Sequence, residues 1–132
     1  MTYAADMIRT SPADTGYDAE ALAACIAACF DCAQACTACA DACLAEDMVA
    51  DLRSCITGDL NCADLCAATG RILSRQAGYD AEITRAALMA CRDACRRCAE
   101  ECERHAEMHE HCRICAEACR RCADACDRLL AA

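Results

Sequence analysis

Apolar and polar positions follow one another along this chain with a helical period, and the apolar stripe is built largely of cysteine. Between Asp18 and Leu44 the cysteines fall at Cys25, Cys29, Cys32, Cys36, Cys39 and Cys43. These steps of four and three residues average about 3.5, the repeat that keeps one face of a helix turned to its partners. Asp18 stands ahead of the run as an N-cap. Carried past Cys43, the rhythm would turn Glu46, Ala50 and Arg53 inward, whereas Cys55 lies out of phase. The pattern therefore predicts a turn near residues 45–47. A second helix is expected over about 47–76, with Met48, Leu52, Cys55, Asp59, Cys62, Cys66, Thr69 and Leu73 facing inward. Gly78 supplies a stop. Asp80 then caps a third helix with Thr84, Leu88, Cys91, Cys95, Cys98, Cys102, His105 and His109 on its inward face. The last series is Cys112, Cys115, Cys119, Cys122 and Cys126, followed by Leu129.

Residues 80–130 keep this rhythm with no Gly or Pro between the two series. One helix of that length would reach roughly 75 Å at about 1.5 Å per residue and leave half its stripe without a partner. Folding back near residues 105–111 gives four helices of similar length instead. The expected fold is all-α: an antiparallel four-helix bundle with a cysteine-lined core over residues 18–132. Ahead of it stands an irregular arm, residues 1–17, marked by the turn pairs Ser11-Pro12 and Thr15-Gly16.

Composition changes the picture in one respect. Eighteen of 132 residues are Cys, above the roughly 8–10% that normally signals a secreted disulfide scaffold. The N-terminal stretch argues otherwise. It carries Asp6, Arg9, Asp14 and Asp18 and has no twin arginine ahead of an apolar run, and the chain has only four Gly and one Pro. The expectation is a cytoplasmic protein with reduced thiols, where dense Cys reads as metal-binding or catalytic. No stretch approaches 18 apolar residues, so no membrane span is expected. A net charge of −9, with Arg as the only strongly basic residue type, disfavours nucleic acid as a partner. With one Phe and three Tyr, the interior must be filled by Ala and Cys.

What could so many inward thiols do? As filler, Leu or Ile would pack better. Cysteines three or four apart on one helix have nearly parallel Cα–Cβ vectors, which suits a disulfide poorly. Metal ligation fits. Such side chains lie about 5–6 Å apart at Cβ, and an ion bridging two sulfurs at about 2.3 Å each needs them at most about 4.6 Å apart. Soft thiolates select copper(I), zinc or iron–sulfur clusters. Copper(I) at one ion per thiolate would leave the interior neutral, whereas zinc in four-thiolate sites would leave costly buried negative charge. Copper(I) is favoured on this ground. Zinc or cadmium in metallothionein-like sites, and an iron–sulfur or redox protein, remain the alternatives. The chain shows no phosphate-binding Gly loop, no acyl-transfer constellation and no single activated thiol. A storage protein rather than an enzyme is the expectation.

The run from Cys25 to Cys43, together with the stripes at 91–102 and 112–126, resembles the bacterial four-helix-bundle copper storage proteins over about residues 18–130. The resemblance implies storage of many copper(I) ions per chain and assembly into a homotetramer. It also implies the cytosolic branch, which lacks the twin-arginine signal of exported members. All eighteen cysteines match its inward ligand pattern, including Cys55, Cys62, Cys66, Cys91, Cys95, Cys98, Cys102, Cys112, Cys115, Cys119, Cys122 and Cys126. The copper donor or acceptor is unknown.

In an up-down-up-down arrangement the first and third turns share one end. That end carries Met48, His105, His109 and His111, candidate exchangeable ligands for an entering ion. His105 and His109, lying on the seam, are the stronger candidates; a solvated helix end is the plain reading of all three. The other end carries Leu22, Leu73, Leu88 and Leu129, an apolar plug. Asp59 stands on a seam among cysteines, where it could ligate metal, pair with an Arg or rotate outward.

Overall fold

The structure, a computed structural model, describes residues 2–132. Five helices account for most of the chain: α1 (Ala4–Thr10), α2 (Ala19–Leu44), α3 (Arg53–Leu73), α4 (Ala81–Glu103) and α5 (Glu110–Leu130). A single 3-10 turn, Val49–Leu52, leads into α3, and no strand occurs among the described residues. The four long helices pack in a ring, α2 beside α3 and α5, and α4 beside α3 and α5. Their inward faces meet in one core.

Local chemistry sets the element ends. The Asp18 carboxylate accepts a hydrogen bond from the Ala21 amide at 2.9 Å, and Asp80 accepts from the Glu82 and Ile83 amides at 3.0 and 3.1 Å. Both satisfy donors that a helix start leaves orphaned. The second helix is shorter than its sequence pattern implied. It begins at Arg53 after an irregular stretch and the 3-10 turn, and it ends at Leu73. There the Ser74 hydroxyl donates to the Gly70 carbonyl and the Gln76 amide to the Leu73 carbonyl, each at 2.7 Å. Gly78 adopts φ +70° in the following loop, a conformation glycine enters at little cost. The third and fourth Cys series are separate helices, with the reversal at residues 104–109.

Two expectations are corrected. Residues 1–17 are not irregular throughout, because Ala4–Thr10 forms two turns of helix lying along α2. Ile8 and Ala4 pack against the core cluster that contains Ile26, which explains an apolar residue off the α2 seam. Second, α2 is long and apolar enough, by length and composition alone, to count as a candidate membrane span. Only Asp31 and Asp41 are charged between Ala21 and Leu44, and the intervening Ala and Cys keep the helix apolar. The Cys face of α2 is buried against the other helices.

All eighteen cysteines are buried and unbridged. Leu22, Leu73, Leu88 and Leu129 are buried with them, as is Leu52 next to the first turn. Replacing Leu22 or Leu129 by Ala is expected to lower stability by roughly 2–5 kcal/mol, the transfer and cavity cost of a buried Leu. Denaturant unfolding of reduced protein measures it, and a shift below about 1 kcal/mol would mean the plug does not pack as described.

Candidate metal centre

The sulfurs form a continuous lattice rather than separate clusters. From the base, Cys25 Sγ lies 3.9 Å from Cys126 Sγ. Cys29, Cys91, Cys122 and Cys126 form a group whose ligand atoms lie within 4.8 Å of one another. Cys32, Cys66, Cys95 and Cys122 form the next, then Cys32, Cys36, Cys62 and Cys119, then Cys36, Cys98, Cys115 and Cys119. Neighbouring groups share members: Cys122, Cys32, Cys36 and Cys119 each belong to at least two. Cys55 joins through Cys102, at 3.7 Å.

The spacings discriminate between chemistries. The shortest Sγ–Sγ separations are 3.5 Å, Cys36–Cys119 and Cys66–Cys95. These exceed the disulfide length of about 2.05 Å by far. Three thiolates arranged trigonally around an ion at about 2.3 Å stand about 4.0 Å apart. The 3.5, 3.6 and 4.0 Å separations radiating from Cys36 to Cys119, Cys115 and Cys98 are close to that value. Thiolates shared between groups would have to bridge ions, so the lattice suits a polynuclear filling.

Asp59 faces inward. It is 0% exposed, and its Oδ1 accepts from the thiols of Cys98 at 3.1 Å, Cys115 at 3.3 Å and Cys102 at 3.4 Å. Of the three roles open to it, arginine pairing and outward rotation are thereby removed. Burial, reinforced by the neighbouring Cys115 sulfur, raises its carboxyl to about 8. Burial likewise pushes the Cys43 thiol up to about 11.

At the opposite end from the leucine plug, α2, the first turn and the reversal between α4 and α5 converge. Cys39, Cys43, Cys112 and His111 form a mixed thiol–imidazole group. His111 Nδ1 lies 3.5 Å from Cys39 Sγ and 3.6 Å from Cys112 Sγ, while its Nε2 meets Glu46 at 2.9 Å. His109 stacks on His111 with ring centroids 5.4 Å apart. Its Nδ1 also meets Glu46, at 3.1 Å, and its Nε2 is the one buried side-chain nitrogen or oxygen without a partner among the described residues. The Glu46 carboxyl is lowered below the ordinary range by the His111 hydrogen bond first. His105 instead pairs with Glu101 at 3.1 Å, and Met48 is 38% exposed ahead of the 3-10 turn.

The histidines' ranking therefore changes. The seam favoured His105 and His109, whereas the residue against the thiols is His111. Glu46, which sequence reasoning passed over, is the group that gathers two of the imidazoles. Its only signal was an acid left in the first turn when the Cys rhythm broke.

A family description, copper storage protein, matches residues 18–131. The chain belongs to the copper storage protein family. The matched span takes in every cysteine of the lattice, and the family's role is storage rather than catalysis. Among solved structures, the copper storage protein Ccsp from Streptomyces lividans, loaded with 10 copper equivalents, is 61% identical with a TM-score of 0.95, covering 97% of this chain and 98% of that one. A cytosolic copper storage protein from the same organism, with five coppers, is 63% identical with a TM-score of 0.85, covering 86% and 94%. A mutant of Ccsp is 62% identical with a TM-score of 0.86, covering 88% and 97%. No curated protein matches the chain.

Proposed function

We propose that this chain is a cytosolic store in which the eighteen cysteine thiolates, lining an antiparallel four-helix bundle, sequester many copper(I) ions. The observation that carries the reading is the sharing of Cys32, Cys36, Cys119 and Cys122 between neighbouring thiol groups. Bridging thiolates and low-coordinate copper(I) can fill such a lattice with no net buried charge, whereas zinc sites closed by four thiolates each would leave buried negative charge. The relatives loaded with five and ten coppers support it, and the one described as cytosolic supports the location. Competition decides the metal: reduced protein is equilibrated anaerobically with equal copper(I) and zinc, and retained metal is counted. Zinc retention at four-thiolate stoichiometry would overturn the reading.

Asp59 is read as an inward group that touches ligands, and His111 as a ligand of the outermost group. His109, with its unpartnered nitrogen, His105 and Met48 are read as exchangeable ligands along the entrance. Replacing His105, His109 and His111 together by Phe is expected to slow loading from a copper(I) chelator several-fold while leaving most of the capacity intact. Stopped-flow loading measures this, and unchanged rates would place the entrance elsewhere.

The assembly is read as a homotetramer, in line with the family resemblance. Exposed Leu44, Leu60, Ile83 and Ile114 offer apolar surface for it. Light scattering on size-separated protein should give four times the 14.1 kDa chain, and a monomer would refute it.

A further inference from the structure

One cysteine of the lattice lines a cleft on the side of the molecule. A cleft of about 580 Å³ runs between α3 and α4, within the roughly 300–1,000 Å³ of small-ligand sites. Gly58, Asn61, Asp64, Asp93, Arg97 and Cys98 are among its walls. Cys98 retains 2% exposure, shared among the thiols only with Cys39, which borders the histidine end, while the other sixteen retain 1% or none. Gly58 faces open space in the cleft: a Cβ there would meet nothing within 4 Å. Glycine in a helix interior is otherwise unfavourable.

The walls carry both signs of charge. Arg97 makes no salt bridge among the described residues, nor does Asp64. Behind the cleft, Cys98 Sγ lies 3.1 Å from Asp59 Oδ1, 3.9 Å from Cys102 Sγ and 4.0 Å from Cys36 Sγ. An ion on Cys98 is thus already inside the lattice, past Cys102 and inward of the outermost thiol–imidazole group at the histidine end. Copper(I) held by thiolates leaves by ligand exchange, and the ligand that competes on equal terms is another soft thiolate.

We propose that this cleft is a lateral port at which a small zwitterionic thiol exchanges copper(I) with Cys98, its carboxylate toward Arg97 and its ammonium toward Asp64. The proposal rests on the reading that these thiols store copper(I). In the exchange one incoming thiol sulfur bonds to copper as the Cys98–copper bond breaks, and a second does the same at the remaining core thiolate, so that the ion leaves held by two small thiolates. Each proton released by an incoming thiol is taken up by the cysteine it displaces, and copper stays in the +1 state throughout.

The test uses the intact chain in two arms. In the first, copper-loaded protein is mixed anaerobically with excess L-cysteine and the copper lost is followed. Gly58→Leu, which fills the cleft, should slow removal several-fold; Gly58→Ala should barely slow it, and Arg97→Gln should slow removal by L-cysteine more than by neutral 2-mercaptoethanol. Equal rates in the parent and Gly58→Leu would overturn the proposal. In the second arm, metal-free reduced protein is treated briefly with iodoacetamide and mapped by mass spectrometry. Cys98 should be alkylated before Cys95 and Cys102, and Gly58→Leu should abolish its lead. Alkylation of Cys98 no faster than Cys95, as a subunit contact over the cleft would give, overturns the port even if Gly58→Leu fails to fold. This arm needs no copper, so its failure is separable from failure of the storage reading, which would show as lost copper capacity in the parent.

Discussion

Anaerobic titration of the fully reduced protein with copper(I) should saturate at about 18 ions per chain, the number at which cuprous charge cancels thiolate charge in the buried core. The structure makes this expectation specific. No thiol is left outside the lattice, since all eighteen are buried and unbridged, and shared members link one group to the next. Closed tetrahedral sites would use the same sulfurs four at a time and saturate at about four ions, the arithmetic of structural zinc. Loss of individual sulfurs should also be unequal. Cys36→Ser removes a thiolate common to two groups and should cost more capacity than Cys43→Ser at the rim. Neutral thiols pack as small apolar groups, so both variants, like the metal-free parent, should remain helical by circular dichroism. Saturation at four or five equivalents, or a metal-free protein that is a random coil, would sink this account.

The second large effect is a pH dependence centred on Asp59. Its folded carboxyl is raised by burial to about 8, from an ordinary value of 3.8. Between those values the native state holds a proton that the unfolded chain has lost. Stability of the metal-free protein should therefore fall as pH rises from about 4 to about 8, by an amount on the order of 5 kcal/mol from this group alone. Asp59→Asn keeps the shape and removes the titration, so its stability should be nearly flat across that window. Guanidinium unfolding of reduced, metal-free protein at pH 5 and pH 7.5 compares the two. Parallel losses in parent and variant would show that Asp59 is not the group responsible. The carboxyl's contacts to Cys98, Cys102 and Cys115 connect this titration to the sulfurs that take up metal.

What was legible beforehand is what a helix repeat transmits. The 3.5-residue rhythm placed every cysteine on an inward face, and each is buried. Asp18 and Asp80 were recognisable as caps because capping is chemistry between near neighbours in sequence. The arm helix Ala4–Thr10 was not, since seven residues are too few to hold a helix without the α2 surface they lie on.

Tertiary structure decided whatever depends on phase across a turn or on residues distant in sequence. Extending the rhythm through residues 104–109 favoured His105 and His109, but the chain reverses there and starts a new helix phase. His111 consequently stands against Cys39, 72 positions away, and His105 turns to Glu101. Glu46 has no partner in its own segment; only the convergence of two turns brings it to His109 and His111. Asp59 was visibly out of place on a seam, yet its three shortest thiol contacts come from α4 and α5, with only the longer one, to Cys55, on its own helix. A repeat specifies which face points inward, and the packing of one helix on another specifies which groups meet there.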